Sequence, residues 1–459
     1  MRSKLIVGIV LILSLGMVGA SLAWLLEAGG NWVYVAAASL IIAVFSLFFN
    51  VSGAVYLTEA EELEKNISEA GKKPGKLVVG ISTYNPDLKV LRESIQSIKK
   101  LEYDDDFGIA VLDDTEDAEY ARRVSELCSS EGVELLHRDT REWGKAGALN
   151  ALLEKTDAKF LAIFDADEVV QNTYFLKETL GHFRDEKVAF VQTNKECGGS
   201  GVFERAANYT NAAFVNLIQP INTRKGVALF TGSCGIFRTA ALKDVGGFPN
   251  SVIEDVAVSL KLKWKGWNGK HVPKVYAIGG PIDSFQRFSS QHMRYIGGVT
   301  ALLPEYAQKI WGYPMEQKMI MAVHALGLHY VSLVQLAACA IAVLSAIYGI
   351  YLGQVASAAY LASTLITLLF LSKIYVGSLR VGLVAYLLNY SVIVPRILAT
   401  ISSILGQRKF GVLSTILASI LQFVLSDALF AVSWETGCLV PVWWGILFIS
   451  NPFFLLAKR

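Results

Sequence analysis

Two apolar runs, residues 5–26 and 32–57, open the chain, and from about residue 319 it is apolar again almost to its last residue. A helix needs roughly 20 apolar residues to cross a bilayer, and only helices or closed barrels satisfy their backbone there. These runs therefore exclude an ordinary soluble globule. The first run starts with basic residues like a signal peptide, but it is too long and lacks a cleavage site. A second run also follows it after the short "EAGGN". It reads as an anchor. Between about residues 76 and 300 the composition is that of a soluble α/β domain, which tempers the mean hydropathy to +0.42.

Positive charge sets the expected orientation. Arg2 and Lys4 precede the first run, and Lys65, Lys72, Lys73 and Lys76 follow the second. Both flanks, and so the middle domain, are expected in the cytoplasm. Lys458 and Arg459 close the last run (437–457), and Arg408 and Lys409 precede 411–434, which puts the loop "SWETG" outside. Spans at 319–349 and 356–373 form a further hairpin returning at Lys373 and Arg380. The segment 381–405 starts and ends beside cytoplasmic charges, so it reads as interfacial or re-entrant. The expected organisation is two transmembrane helices in 1–60, a cytoplasmic domain in 61–284, interfacial amphipathic helices in 285–318, and a transmembrane bundle in 319–459 with the irregular segment near 381–410. Arg396 and Asp427 are ionisable residues in apolar surroundings, read either as functional groups or as each other's partner.

The five cysteines form no C-x-x-C pair, and on a cytoplasmic domain they read as reduced and structural. His324 and His329 are five apart on an expected span and read as packing or polar contacts, not metal ligands.

Strand-like and helix-like segments alternate through the middle domain. "KLVVGIST", "FGIAVLDD", "VELLHRD", "KFLAIFDAD" and "KVAFVQT" are each followed by a helical pattern. This repetition predicts a mostly parallel sheet covered by helices on both faces. Two strands end in acids, Asp113-Asp114-Thr115 and Asp165-Ala166-Asp167. In a parallel sheet such ends share the carboxyl edge, where ligands bind. Acidic helix caps would explain either pair alone, but not both on one edge.

No G-x-G-x-x-G follows the first strand and no P-loop motif occurs. A carboxylate cluster can instead hold a hard divalent cation that joins protein to a diphosphate. If the D-A-D is extended, its two side chains point the same way.

The motifs "STYNPDLKVLRESIQSI", "VLDDT", "GKAGALNALL", "FDAD", "FTGSCGIFR", "VGGFP", "VIEDVAVSLKL" and "QHMRYIGG" occur in the order found in membrane-integrated family 2 glycosyltransferases. The chain thus resembles the group of cellulose, chitin and hyaluronan synthases over roughly residues 76–300. The resemblance implies a GT-A-like α/β domain between transmembrane helices, a nucleotide-sugar donor (a UDP-sugar) and Mg2+ or Mn2+. Thr83, Tyr84, Asp113 and Asp114 would hold the base and ribose, and Lys145 would line the nucleotide pocket. Asp165 and Asp167 would form the metal and sugar-diphosphate motif, with Gly232 and Ser233 beside the donor sugar and acceptor terminus. Asp255, preceded by Glu254, matches the general base of T-E-D, and Gln291, Arg294 and Tyr295 match Q-x-x-R-W.

The chemistry has its own logic. Inverting transfer needs a hydroxyl deprotonated opposite the leaving nucleotide, and a carboxylate outside the metal cluster keeps the basicity to do it. Cations suit the charge that grows on the leaving diphosphate. Gln291 and Arg294 are three apart and share a helical face. Two residues depart from the family: Tyr295 replaces its tryptophan, and Ile253 the threonine of T-E-D.

Three readings stay open: extension of a glycan, with or without export of the product; single-sugar transfer to a lipid-linked acceptor; and a non-catalytic nucleotide-sugar sensor or export subunit. The expected location is the plasma membrane, with no nucleic-acid partner. Oligomeric state is left open.

Overall fold

A computed structural model describes residues 2–30, most of 32–44, 75–375, 377–406 and 412–456. The second half of the second apolar run lies outside the described residues, as do Lys65, Lys72, Lys73, Arg408, Lys409, Lys458 and Arg459.

After α1 (Arg2–Glu27), the middle domain alternates β1 (Leu77–Thr83), α2 (Leu88–Ile98), β2 (Phe107–Asp113), α3 (Ala118–Glu131), β3 (Glu134–His137), α4 (Gly144–Lys155) and β4 (Phe160–Asp165). Then come β5 (Val169–Val170), α5 (Phe175–Leu180), β6 (Val188–Cys197), α6 (Val202–Ala213), α7 (Gln219–Arg224), β7 (Gly235–Arg238), α8 (Thr239–Asp244), α9 (Glu254–Trp264) and β8 (Asn268–Gly279). The strands form one sheet in the order β3-β2-β1-β4-β7-β6-β8-β5. β1, β2, β3 and β4 are parallel, as the alternation predicts. β7 runs antiparallel between β4 and β6, and β5 runs antiparallel to β8. The sheet is mixed.

Buried Val, Ile, Leu and Phe cover both of its faces. One core gathers Val79, Ile81, Val111 and Phe164 against α2 and α3, and the other gathers Leu112, Leu161 and Ile163 against α4 and α9. The alternate burial of consecutive strand residues on two cores is what the continuous apolar runs encode.

The C-terminal part comprises α10 (Phe285–Lys309), α11 (Met315–Ile347), α12 (Tyr351–Tyr375), α13 (Leu379–Ser391), α14 (Ile393–Ile404), α15 (Val412–Thr436) and α16 (Val440–Leu456). Among the described residues, three helices are long and apolar enough to cross a membrane: Met315–Ile347, Leu379–Ile404 and Ile416–Thr436. The segment read as interfacial or re-entrant is thus two helices meeting at Val392. Val381, Ala385 and Leu388 of α13 pack on Ala206, Ala207 and Tyr209 of α6. Ala399 of α14 packs on Met293 and Ile296 of α10. Trp24 of α1 meets Ala36 and Ile341, which brings both N-terminal apolar runs onto α11.

The structure corrects one expectation here. Arg396 and Asp427 do not pair: Arg396 is buried beside Asn389, while Asp427 is exposed on the outward face of α15. The two histidines behave as expected, with Nε2 of His324 3.0 Å from Asn222 and Nε2 of His329 2.7 Å from Thr300. All five cysteines are free.

Candidate active site

β1 lies between β2 and β4, in register Thr83 with Asp113 and Ser82 with Asp165. The two acidic strand ends therefore flank the last residues of β1 on one edge. At the first, Asp113 is fully buried. Thr115 donates its hydroxyl to Asp113 Oδ1 (2.7 Å), and His137 Nδ1 lies 3.0 Å from Oδ2. Asp113 is thus fixed at the buried carboxyl end of β2. Tyr84, just past β1, is 39% exposed, with the Arg141 guanidinium 3.7 Å from its ring centre. That ring can stack on a base.

Asp114 takes both arms of Arg138, from Nε at 2.7 Å and Nη2 at 2.5 Å. Arg138 also donates to the carbonyls of Glu142 and Gly144, both at 3.0 Å. This clamp shapes the loop into α4, where a Cβ on Gly147 would stand 2.2 Å from the Glu142 carbonyl. The second glycine of "GKAGALN" is a packing requirement, and it sets Lys145 at the helix start.

The D-A-D is not extended. The strand ends at Asp165, and Asp165–Glu168 forms a turn closed by Glu168 N–H to the Asp165 carbonyl (3.1 Å). The turn is needed to send the chain into β5, which pairs with β8. Alternation along a strand therefore does not relate the two acids. Asp165 faces Lys145, which bonds it directly, and Ser82, whose hydroxyl donates at 3.2 Å. Asp167 lies against Gly280, where a Cβ would meet Oδ2 at 2.5 Å.

Two residues of this centre had no motif to announce them. Lys195, on β6, is 2.6 Å from Glu168 Oε1 and 3.7 Å from Asp165 Oδ2, and it bonds Ser233. Glu168, its side chain 1% exposed, accepts from Ser233 Oγ (2.5 Å) and from the Asp165 N–H (3.0 Å). Desolvation works to raise the Asp165 carboxyl, but Lys145 and Lys195 outweigh it and hold it below the usual carboxylate range. Desolvation likewise works to lower Lys195, and Glu168 and Asp165 reverse it. The centre is a charge-matched network, not a free acidic patch. Lys195 was visible only as one basic residue after a strand run, a signal shared with many surface lysines.

Opposite, Gly232 has φ +96°, and a Cβ there would stand 3.4 Å from Asp255 Oδ2. Asp255 sits in the first turn of α9, its Oδ1 2.8 Å from the Val256 N–H. Burial raises its carboxyl. Burial, then the Asp255 charge, pushes Glu254 up to about 7. The Arg294 guanidinium, from α10, lies close enough to favour ionisation of both acids. Burial and then Asp255 raise the Tyr295 hydroxyl. Tyr295 packs beside Ile253 and Val256. Ile253 fills the space over Gly298, where a Cβ would strike it at 2.7 Å. The apolar residue in place of the family's threonine thus fastens α10 to α9. Gln291 is exposed on α10 and carries no described contact. The structure therefore brings Asp165, Lys145, Ser233, Gly232, Asp255, Glu254, Arg294 and Tyr295 into one cluster.

The sequence profile described as Glycosyl transferase family 2 matches residues 78–246. The chain carries a family 2 glycosyltransferase domain. The cellulose synthase catalytic subunit [UDP-forming] of Pseudomonas fluorescens is 31% identical over 233 residues, which is 49% of this chain and 31% of that relative. Its counterpart in Xanthomonas axonopodis pv. citri is 28% identical over 233 residues, again 49% of this chain and 31% of the relative. The shared stretch thus spans about a third of these relatives' length. A mannosyltransferase from Pyrobaculum calidifontis, solved with GDP-Man and Mn2+, superposes with a TM-score of 0.57 at 19% identity. The match covers 80% of this chain and 98% of that one, and it establishes a GT-A-like fold for the glycosyltransferase domain.

A divalent cation fits the centre by its donor chemistry. Asp165 and Asp167 offer hard carboxylate oxygens, and no described hydrogen bond occupies Asp167. Among the described residues no group of three acids, histidines or cysteines is assembled to hold a metal, so diphosphate oxygens would have to complete the shell.

Proposed function

We propose that the chain transfers a sugar, with inversion, from a nucleotide-sugar to a glycan growing at the cytoplasmic face of the plasma membrane. The donor is a UDP-sugar, as the printed names of the cellulose synthase relatives favour. The observation that carries the reading is the placement of Asp255: against Gly232, beside a raised Glu254, with Lys145 close to both of these acids while it bonds Asp165. Tyr84 stacks on the base, and Asp113 and Asp114 shape its floor. Asp165 and Asp167 would hold Mg2+ or Mn2+, which would supply charge to the diphosphate when bound. Lys145 and Lys195 add fixed positive charge on the same side. Asp255 takes the proton of the acceptor hydroxyl, whose oxygen attacks the anomeric carbon as the nucleoside diphosphate departs. Arg294 stabilises the departing charge, and Tyr295 borders the acceptor.

In this reading the domain spans residues 61–284, the helices of 285–318 lie at the membrane surface, and 1–60 and 319–459 form the membrane part. One observation favours single-sugar transfer to a lipid-linked acceptor over export. Tyr390 and Trp444, rings that could line a glycan path, are fully buried against each other, 5.7 Å between centres. Trp434 and Asp427 face outward. Purified protein supplied with a panel of labelled nucleotide sugars separates the readings. Polymer supports extension, a one-sugar lipid supports the second reading, and absence of turnover with every donor overturns both.

A further inference from the structure

Lys195 belongs to no sequence motif, yet it stands between Glu168 and Asp165 at the turn that follows β4. Its ammonium lies 2.6 Å from Glu168 Oε1 and also bonds Ser233. An ammonium has three hydrogens. Two are thus engaged, and the third is left for Asp165 Oδ2, 3.7 Å away. The other oxygen of that carboxylate, Oδ1, accepts from Lys145 and from the Ser82 hydroxyl at 3.2 Å. Both oxygens of Asp165 therefore face a cation that the chain itself supplies. Asp167 differs. It is exposed, and no described hydrogen bond or ion pair occupies it.

Glu168 fixes this arrangement. Its side chain is 1% exposed, whereas those of Lys195 and Asp165 are 28% and 32% exposed. Taking the ammonium away would strand a buried carboxylate, which is strongly unfavourable. Lys195 is therefore not free to swing aside and let a divalent cation reach Asp165 Oδ2. A cation at that oxygen would meet the ammonium at close range, like charge against like. Lys195 has another way to yield. Its third hydrogen can pass from Asp165 to a phosphate oxygen while its bond to Glu168 stays in place, and phosphate oxygens are strong acceptors for an ammonium. Lys195 and Asp165 both keep solvent contact, so a diphosphate can reach them.

We propose that Lys195 keeps Asp165 from serving as a ligand to the divalent cation until a nucleoside diphosphate is bound, while Asp167 stays open to the cation throughout. Lys195 is a positioning residue, and the proposal rests on the reading that this centre holds the donor diphosphate. The test follows Mn2+ binding to the full chain in detergent by paramagnetic resonance, with and without UDP. Wild type is compared with Asp165→Asn, with the double variant Glu168→Gln and Lys195→Met, and with the triple variant that adds Asp165→Asn. The double variant leaves net charge unchanged, so a changed affinity reports the local contact. Without UDP it should bind Mn2+ about tenfold more tightly than wild type, the scale of one charged contact. The triple variant should lose that gain, and with UDP the double variant and wild type should converge. Equal affinity of wild type and the double variant without UDP, or a gain that survives in the triple variant, overturns the proposal. If the double variant does not fold, Asp165→Asn decides. It should weaken Mn2+ binding more with UDP than without, and equal weakening overturns the proposal. A wild type that binds no Mn2+ even with UDP overturns the reading of the centre itself, and this proposal with it.

Discussion

Gly232 and the carboxylate of Asp255 share one wall of the cleft, 3.4 Å between Oδ2 and the position a Cβ on residue 232 would take. The backbone at Gly232 has φ +96°, a conformation side chains resist. Gly232→Ala should therefore cost about 1–3 kcal/mol of stability and lower turnover by crowding the base. Chemical denaturation and a turnover assay check the two effects. Unchanged values for both would remove the close approach from the argument.

Asp255→Asn should leave donor binding nearly intact, because the carboxylate acts on the acceptor. Turnover should fall by about 10²–10⁴, the usual range for general-base catalysis. Calorimetry with the nucleotide-sugar is the check. Loss of donor affinity would place Asp255 in the nucleotide site instead.

The acid pair also sets a pH dependence. With Glu254 pushed up to about 7, kcat/KM should rise with pH and level off above that value. Glu254→Gln removes the like charge beside Asp255 and should move the rising limb to lower pH. Stability should run the other way. A carboxyl raised on folding contributes stability that is present at low pH and lost as pH rises through the folded value. Melting curves across the same pH range test this sign, reporting the pair together and not either acid alone.

Chelation by EDTA should abolish transfer, and Asp167→Asn should mimic it. Mn2+ binding, followed by paramagnetic resonance with donor present, should weaken in the same variant. Full activity in EDTA would remove the cation from the mechanism.

Lys195→Met strands Glu168, whose side chain is 1% exposed and 2.6 Å from the ammonium. Stability should fall toward the lower end of the about 3–5 kcal/mol lost when a buried pair is broken, since Lys195 keeps some solvent contact. The double variant with Glu168→Gln should recover most of the loss. A double-mutant cycle with no coupling would show that the pair is not held together in solution.

The edge that carries the site could be read from one dimension. Apolar runs ending in Asp113-Asp114 and Asp165-Ala166-Asp167 already imply parallel neighbours, because side-chain periodicity and strand-end chemistry are local properties. The same holds for the apolar spans and for the eight ordered motifs. What local periodicity cannot carry is which distant residue meets which acid. The antiparallel insertion of β7 brings Ser233 to Glu168, sixty-five positions away in sequence, and β6 carries Lys195 into the same network. The turn at Asp165–Glu168 arises because β5 pairs with β8, a contact formed more than a hundred residues later. Arg396 and Asp427 looked alike as charges in apolar sequence, yet one is buried beside Asn389 and the other faces the outside. Helix rotation, set by packing against α10 and α16, separates them, and long-range packing leaves no periodic trace in the chain.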